Sequence, residues 1–379
     1  MAWQFPTSIS TNGTIALDLS TADSAFIAKG VLVAATDSVA VYAQGSFQQV
    51  VVAGTVASTV GAAIQLGSLA SATSHDNSLT VEAGGEIRHF GSGSTTTAVR
   101  LTCYQSHLAN AGLIASDIIG IRVQGISSTT VTTIVNSGTI LAGDMAIARS
   151  STSTETVMFT NTGTLSATTA YGFYTIDLAA ASDLITNRGR IFGTIDLGSG
   201  NDVYSGAAGR LTGHLFAGAG DDVAVGGIDN DWLEGGADND TLIGNAGNDR
   251  LNGGANNDKL FGGAGIDSLT SGANADIFVF NTALNASTNR DIIADFSHAD
   301  DTFQLENAVF TKLGAGVHVL GAAFFRAGAA AADANDYIVY NRATGVLSYD
   351  ANGNAAGGAI AFAVLVNKPV LAADDFVVI

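Results

Sequence analysis

The chain has 379 residues and a formal charge of −19, from 34 acidic and 15 basic side chains. This length accommodates two or three domains, and this charge makes nucleic acid and anionic membrane surfaces poor partners. Hydrophobic residues are 47% of the chain and charged ones 13%, with 46 Gly and two Pro, which excludes an acidic disordered tail, collagen and proline-rich linkers and favours an all-β protein with tight turns. Cys103 is the single cysteine, so neither an intrachain disulfide nor a four-thiolate zinc site is expected. No apolar run reaches the length of a membrane span. The start, MAWQFPTSISTNGTIALDLS, has no basic stretch and no apolar core, so a cleaved secretory leader is not expected.

Charge is unevenly placed. Residues 1–190 carry 11 acids and 7 bases, whereas residues 191–379 carry 23 acids and 8 bases. Together with a drop in Gly density near residue 280, this divides the chain into 1–195, 196–280 and 281–379.

In the first region a Gly precedes a branched or apolar residue at Gly13, Gly54, Gly85, Gly112, Gly138, Gly163 and Gly189. From Gly85 onward the step is nearly constant, and Asn110, Asn136, Asn161 and Asn187 stand two positions ahead. Segments such as TVTTIVNSGTI alternate between. A coil of about 26 residues with three short strands predicts a parallel β-helix over 1–195. Asn side chains at equivalent turns are expected to stack as an amide ladder.

Evidence for catalysis in this region is thin. None of His75, His89, His107, His214, His298 and His318 lies in HExxH, and neither GxSxG nor GxxxxGK[ST] occurs. Cys103 and His107 invite a nucleophile reading, but a lone buried Cys is commonly inert. Parallel β-helices host polysaccharide lyases and epimerases. YGFYTID at Tyr171 is faintly similar to an alginate epimerase motif but lacks the acid-Pro-His that should follow. Arg88, His89, Arg100 and Arg122 recur about one coil apart in places; the plainer reading is solvated coil edges.

From Ala217 the sequence divides without gaps into nines: AGAGDDVAV, GGIDNDWLE, GGADNDTLI, GNAGNDRLN, GGANNDKLF, GGAGIDSLT, SGANADIFV. The sixth position is Asp throughout and the eighth apolar. An isolated unit, LGSGNDVYS, puts Asp202 at the same phase. Three residues with an inward apolar one make a strand, and six rich in Gly, Asn and Asp make a turn. Two units close one coil, and coils stack into a solenoid. Gly at the fourth position gives way to Asp229, Asp238, Asn256 and Asn274, residue types that tolerate left-handed backbone. Stacking predicts two carboxylate ladders, Asp222–Asp240–Asp258–Asp276 and Asp231–Asp249–Asp267. Strands about 4.8 Å apart would set these acids against one another. Calcium, with oxygen ligands at about 2.4 Å, fits between neighbours better than Mg²⁺, which keeps a smaller hydrated shell.

The repeat resembles GGxGxDxUx, the calcium-binding nonapeptide of the RTX (repeats-in-toxin) family. The resemblance implies a parallel β-roll with several calcium ions between its turns. Asp222, Asp231, Asp240, Asp249, Asp258, Asp267 and Asp276 would bind through side chains. Turn residues would bind mainly through backbone oxygens: Gly218 and Gly220; Gly226, Gly227 and Asp229; Gly235, Gly236 and Asp238; Gly244 and Gly247; Gly253, Gly254 and Asn256; Gly262, Gly263 and Gly265.

Residues 281–379 are expected to form a small β domain. Asp291–Leu305 resembles the D-x-I-x-x-F-x-x-G-x-D segment that follows the roll in secreted relatives, with Ala299 in place of Gly. Asp350, Asn352 and Asn354 suggest either one more calcium site or a polar turn. The ending DDFVVI resembles the uncleaved C-terminal signal of type I secretion substrates, and also reads as a last strand. The chain is therefore expected to be all-β: a parallel β-helix running into a calcium-binding parallel β-roll, then a small β domain. The expected function is that of a secreted, calcium-dependent structural or adhesive protein of a Gram-negative bacterium, without catalysis. Its expected partners are the type I secretion apparatus and a cell-surface polysaccharide or further copies of itself. The alternative is a β-helix enzyme acting on acidic polysaccharide.

Overall fold

The computed structural model describes residues 3–11, 15–19, 23–67, 76–91, 96–102, 105–124, 130–151, 153–168 and 174–379. Gly13, His75, Cys103 and Tyr171 lie outside them. Two compact units emerge, Met1–Leu215 and Phe216–Ile379.

In the first unit the chain winds through three parallel sheets in turn. One coil, for example, contributes strands His107–Asn110, Leu113–Ser116 and Ile119–Val123. Each pairs in parallel with its counterpart in the next coil: Val131–Asn136, Thr139–Ala142 and Met145–Arg149. This is the expected parallel β-helix. In the first sheet Leu79 faces Leu108, then Ile134, Phe159 and Ile185 follow in succession, one per coil. The strands bury every second side chain, and this inward column is at most 2% exposed. Each such side chain contributes about 1.5–3 kcal/mol, and the columns together form the core.

The recurrent Gly and Asn have separate physical causes. A β-carbon on Gly138 would collide with the carbonyl oxygen of Gly112, and the same holds for Gly163 over Gly138 and Gly189 over Gly163. Only glycine permits that approach of successive coils. Beside this column runs the expected amide ladder. Asn110 Nδ2 donates to Asn136 Oδ1 at 2.8 Å, Asn136 to Asn161 at 2.8 Å, and Asn161 to Asn187 at 2.9 Å. All four are buried, so the ladder satisfies amides that would otherwise be costly to bury.

The second unit begins as a flattened two-sided roll. Strands Val223–Val225, Thr241–Ala246, Lys259–Ala264 and Ile277–Phe280 stack in parallel on one side. Trp232–Ala237, Arg250–Ala255 and Ser268–Ala273 stack on the other. Paired residues such as Leu242 and Leu260, or Leu233 and Leu251, stand at the same phase two repeats apart, so two nonapeptides close one coil as expected. Left-handed backbone occurs at Asp238, Asn256 and Asn274, with φ of 78°, 76° and 85°. Asp229 does not share it. Its turn closes differently, with the Gly227 N–H donating to Asp231 Oδ2 at 2.6 Å.

The stacking continues past residue 280. Strand Thr302–Leu305 pairs on Ile277–Phe280, and Phe376–Val378 pairs in parallel on Thr302–Leu305. The inward column Leu242, Leu260, Phe278, Phe303, Phe376 thus ends on the chain's last strand. Phe296 stacks on Phe303 with centroids 4.1 Å apart, and Phe310 and Phe362 close the cluster. A hairpin of Ile338–Asn341 and Val346–Asp350 extends to Ala359–Leu365, which pairs on Asp291–Ile293. The turn at Asp350 is polar: its Oδ1 accepts the Asn352 N–H at 3.3 Å.

Candidate metal centre

Each ladder is built the same way. The strand that follows an Asp fixes its backbone, and its side chain reaches back one coil. Asp240 Oδ1 accepts the Asp222 N–H at 2.9 Å, Asp258 that of Asp240 at 2.8 Å, and Asp276 that of Asp258 at 2.8 Å. On the other side Asp249 accepts from Asp231, and Asp267 from Asp249, both at 2.8 Å. All seven acids are buried. One carboxylate oxygen of each accepting residue is thereby used.

The second oxygen is the informative one. Oδ2 of Asp240, Asp249 and Asp258 is buried and accepts no hydrogen bond from the described residues. A β-carbon on Gly235 would run into Asp240 Oδ2 and stand 2.7 Å from the Gly253 carbonyl oxygen. One on Gly244 would meet Asp249 Oδ2 and, at 2.5 Å, the Gly262 carbonyl. One on Gly253 would meet Asp258 Oδ2 and, at 2.5 Å, the Ser271 carbonyl. The glycines keep open a space lined by carboxylate and carbonyl oxygens from successive coils. Such an oxygen set, anionic and flexible in number, suits calcium. The residues present therefore fit that ion at the inner rungs. At Asp231 the Gly227 N–H already occupies Oδ2, which makes this outer rung a poorer place.

Electrostatics point the same way. Burial, reinforced by Asp222 and Asp258, pushes Asp240 up to about 8. Burial, with neighbouring ladder acids, pushes Asp249 and Asp258 up to about 7. A buried carboxylate row without a cation holds protons instead.

Both ladders run one rung beyond the nonapeptides. Asp291 Oδ1 accepts the Asp267 N–H at 3.2 Å, and Asp301 Oδ1 accepts that of Asp276 at 3.1 Å. Burial raises both, Asp291 to about 8 with Asp267 beside it and Asp301 to about 6. The sequence marks both as the first and last acids of the D-x-I-x-x-F-x-x-G-x-D segment, but not their place in the ladders, because extra loop residues lengthen both steps beyond two nonapeptides. A second, exposed ladder at position five was equally missed. Asp221 Oδ1 accepts the Asn239 N–H at 3.0 Å, and Asn239 Oδ1 that of Asn257 at 3.1 Å. Its signal was present as the run Asp221, Asn230, Asn239, Asn248, Asn257.

The first unit contains a disguised form of the same turn. LAAASDLIT around Asp183 lies one coil ahead of LGSGNDVYS, with Ala179 and Ala181 where Gly198 and Gly200 stand. Both alanines have left-handed φ, 56° and 80°. The Asp183 N–H donates to Asp202 Oδ1 at 2.6 Å, which continues the ladder pattern. Here a side chain supplies the positive charge. Arg149 grips Asp183 at 2.9 and 3.0 Å, with both side chains fully buried. Burial still pushes Asp183 up to about 7 against that pull.

The other candidate residues divide between faces. Arg88 pairs with Glu86 at 2.8 Å on the second sheet, beside the buried His89. Arg100 and Arg122 face each other across neighbouring strands of the third sheet and are half-buried rather than solvated. Near the terminus His298 Nδ1 and Asp375 Oδ1 are 2.6 Å apart. Among the described residues no helix is long and apolar enough to cross a membrane.

Parallel coils with oxygen-lined acidic turns define a β-solenoid whose turns bind cations. The RTX calcium-binding nonapeptide repeat family matches the chain in four copies, at residues 194–210, 216–251, 234–269 and 252–281. The matched residues are RTX calcium-binding nonapeptide repeats and form a calcium-binding β-roll. Comparison with curated proteins gives no match.

Proposed function

We propose that the protein is secreted from a Gram-negative bacterium through a type I apparatus and folds outside on extracellular calcium, where its β-helix serves as a non-catalytic adhesive or structural surface. The observation that carries this reading is the pair of buried ladders, whose inner carboxylate oxygens have no hydrogen-bond partner among the described residues. Extracellular modules bind calcium with dissociation constants of roughly 10⁻⁴–10⁻³ M, far above cytosolic levels. The second unit would therefore stay unfolded inside the cell, and calcium outside would drive folding by linkage. The terminal segment fits that order: Phe376 and Val378 are fully buried in the folded unit, so an apparatus reading Asp374–Ile379 must engage it first.

The test is far-UV circular dichroism of the purified chain during calcium titration from excess chelator. The β signal of the second unit is expected to appear with a midpoint in that concentration range. A full signal at sub-micromolar calcium would sink the proposal.

The second reading, an enzyme acting on acidic polysaccharide, is favoured by one observation. Arginine, tyrosine and carboxylate side chains share a row on the third sheet of the β-helix.

A further inference from the structure

A cavity of about 560 Å³ opens at the ends of the second sheet's strands, lined by Arg88, His89, Phe90, Asp117, Leu141 and Thr168 among others. Its shape follows from the sequence. Successive strands set Arg88 against Ala115 and Ala115 against Leu141, so one small residue between two long ones leaves a hollow. Phe90 and Leu141 offer it apolar surface, 49% and 42% exposed. The volume is that of a small-molecule site.

The unusual member is His89. It ends strand Glu86–His89 and is 1% exposed, yet neither Nδ1 nor Nε2 has a hydrogen-bond partner among the described residues. Its ring lies beneath Gly91, where a β-carbon would stand 2.6 Å from Cε1 and 3.0 Å from Nε2. Ser58 and Ser116 are its neighbours on the adjoining strands. Ser116 Oγ accepts the Ile118 N–H at 3.2 Å, and Ser58 Oγ is buried without a partner among the described residues. A buried ring with both nitrogens unmet costs stability unless another group supplies the missing bonds. Burial disfavours the imidazolium, with Asp117 the one charge acting the other way. At neutral pH the ring is therefore neutral, with one nitrogen a donor and the other an acceptor. Glu86 and Arg88 on its own strand pair with each other at 2.8 Å.

We propose that this cavity binds a small primary ammonium carried on an apolar ring. The ammonium donates to the Asp117 carboxylate and to the acceptor nitrogen of His89, and the ring lies against Phe90 and Leu141. Both imidazole nitrogens are covered, so the His89 ring turns outward to meet the donor. The lining selects this class. An anion would need Arg88, which Glu86 already holds. A metal ion would need a third ligand, and among the described residues no His, Cys, Asp or Glu completes a set with His89 and Asp117. A cation is drawn by the chain's charge of −19, and Phe90 adds a ring face for it.

The experiment is calorimetric titration of the full chain in calcium-replete buffer at pH 7 with 2-phenylethylamine, 2-phenylethanol and 3-phenylpropionate, which share the ring and differ in the head group. The amine is expected to bind about tenfold or more tightly than the alcohol, and the carboxylate not to bind. Asp117→Asn alters an exposed side chain, so melting should hold while amine affinity falls about tenfold. Asp117→Glu should retain most of the affinity. In long-range ¹H–¹⁵N spectra the His89 ring nitrogens should move on adding the amine, the resonances being assigned by single Gln substitutions at the other histidines. N-acetyl-lysine amide, with the same charge and no ring, separates a free arylalkylamine from a partner's lysine: weaker binding supports the former, and equally tight binding overturns it. Equal affinity for the three ring probes, unchanged amine affinity in Asp117→Asn, or unmoved His89 resonances would overturn the site.

Discussion

A single ladder aspartate has two separable jobs. Asp240 Oδ1 accepts the Asp222 N–H, while Oδ2 faces the oxygen-lined space beside Gly235. Asp240→Asn keeps the acceptor and removes the charge. Without calcium at pH 8, where the wild-type second unit is unfolded, that variant should recover part of the far-UV β signal, because one repelling carboxylate is gone. In calcium titrations it should bind about tenfold or more weakly, having lost a ligand oxygen's charge. Asp240→Ala removes both jobs and leaves a buried N–H unpaired, at about 1–3 kcal/mol. It should be less stable than wild type in millimolar calcium. Unaltered calcium affinity in Asp240→Asn would remove this residue from the site. The phase of Asp240 is readable from the sequence because every sixth position repeats. Asp291 and Asp301 are not, since the loops before them break the period while leaving their stacking intact.

At the scale of the coil, the β-helix compensates one buried carboxylate with a side chain, Arg149 against Asp183. Arg149 and Asp183 are distant in sequence, follow no period and meet only because coils stack, so nothing in the sequence announces them. The Asn ladder and the Gly column were legible, because both follow from one step repeated coil after coil. Arg149→Met should destabilise the first unit by about 3–5 kcal/mol, the range for leaving one partner of a buried pair uncompensated. Adding Asp183→Asn should recover part of the loss in a thermal melt; no recovery would mean that Arg149 acts by packing alone. The disguised repeat went unread because alanine stands where glycine marks the others. Ala181 carries a φ of 80° that costs an L-residue roughly 1–2 kcal/mol. Ala181→Gly should therefore raise the melting temperature, against the usual trend of glycine substitutions. A lowered one would place the strain elsewhere.

The whole molecule should answer protons and calcium in opposite senses. The ladder acids have folded-state pKa values above the ordinary 3.8: about 8 for Asp240 and Asp291, about 7 for Asp249 and Asp258, and about 6 for Asp301. A raised carboxyl means that the folded, calcium-free unit holds more protons than the unfolded chain. That stabilising contribution is fully present below about pH 4 and is lost as pH rises through 6 to 8. In chelator, the second unit should therefore show a melting transition at pH 5 and none at pH 8. Calcium needs the ionised form, so it competes with those protons and releases them on binding. In millimolar calcium the order should invert, with pH 8 giving the higher melting temperature through ligand linkage. The first unit has Arg149 already in place against Asp183, and its transition should move less with calcium at either pH. Differential scanning calorimetry at two pH values, with and without calcium, reads all four cases. A second-unit transition that rises with pH in chelator would show that the ladder carboxylates are stabilised by something other than protons or metal. It would remove the physical basis for calcium-driven folding.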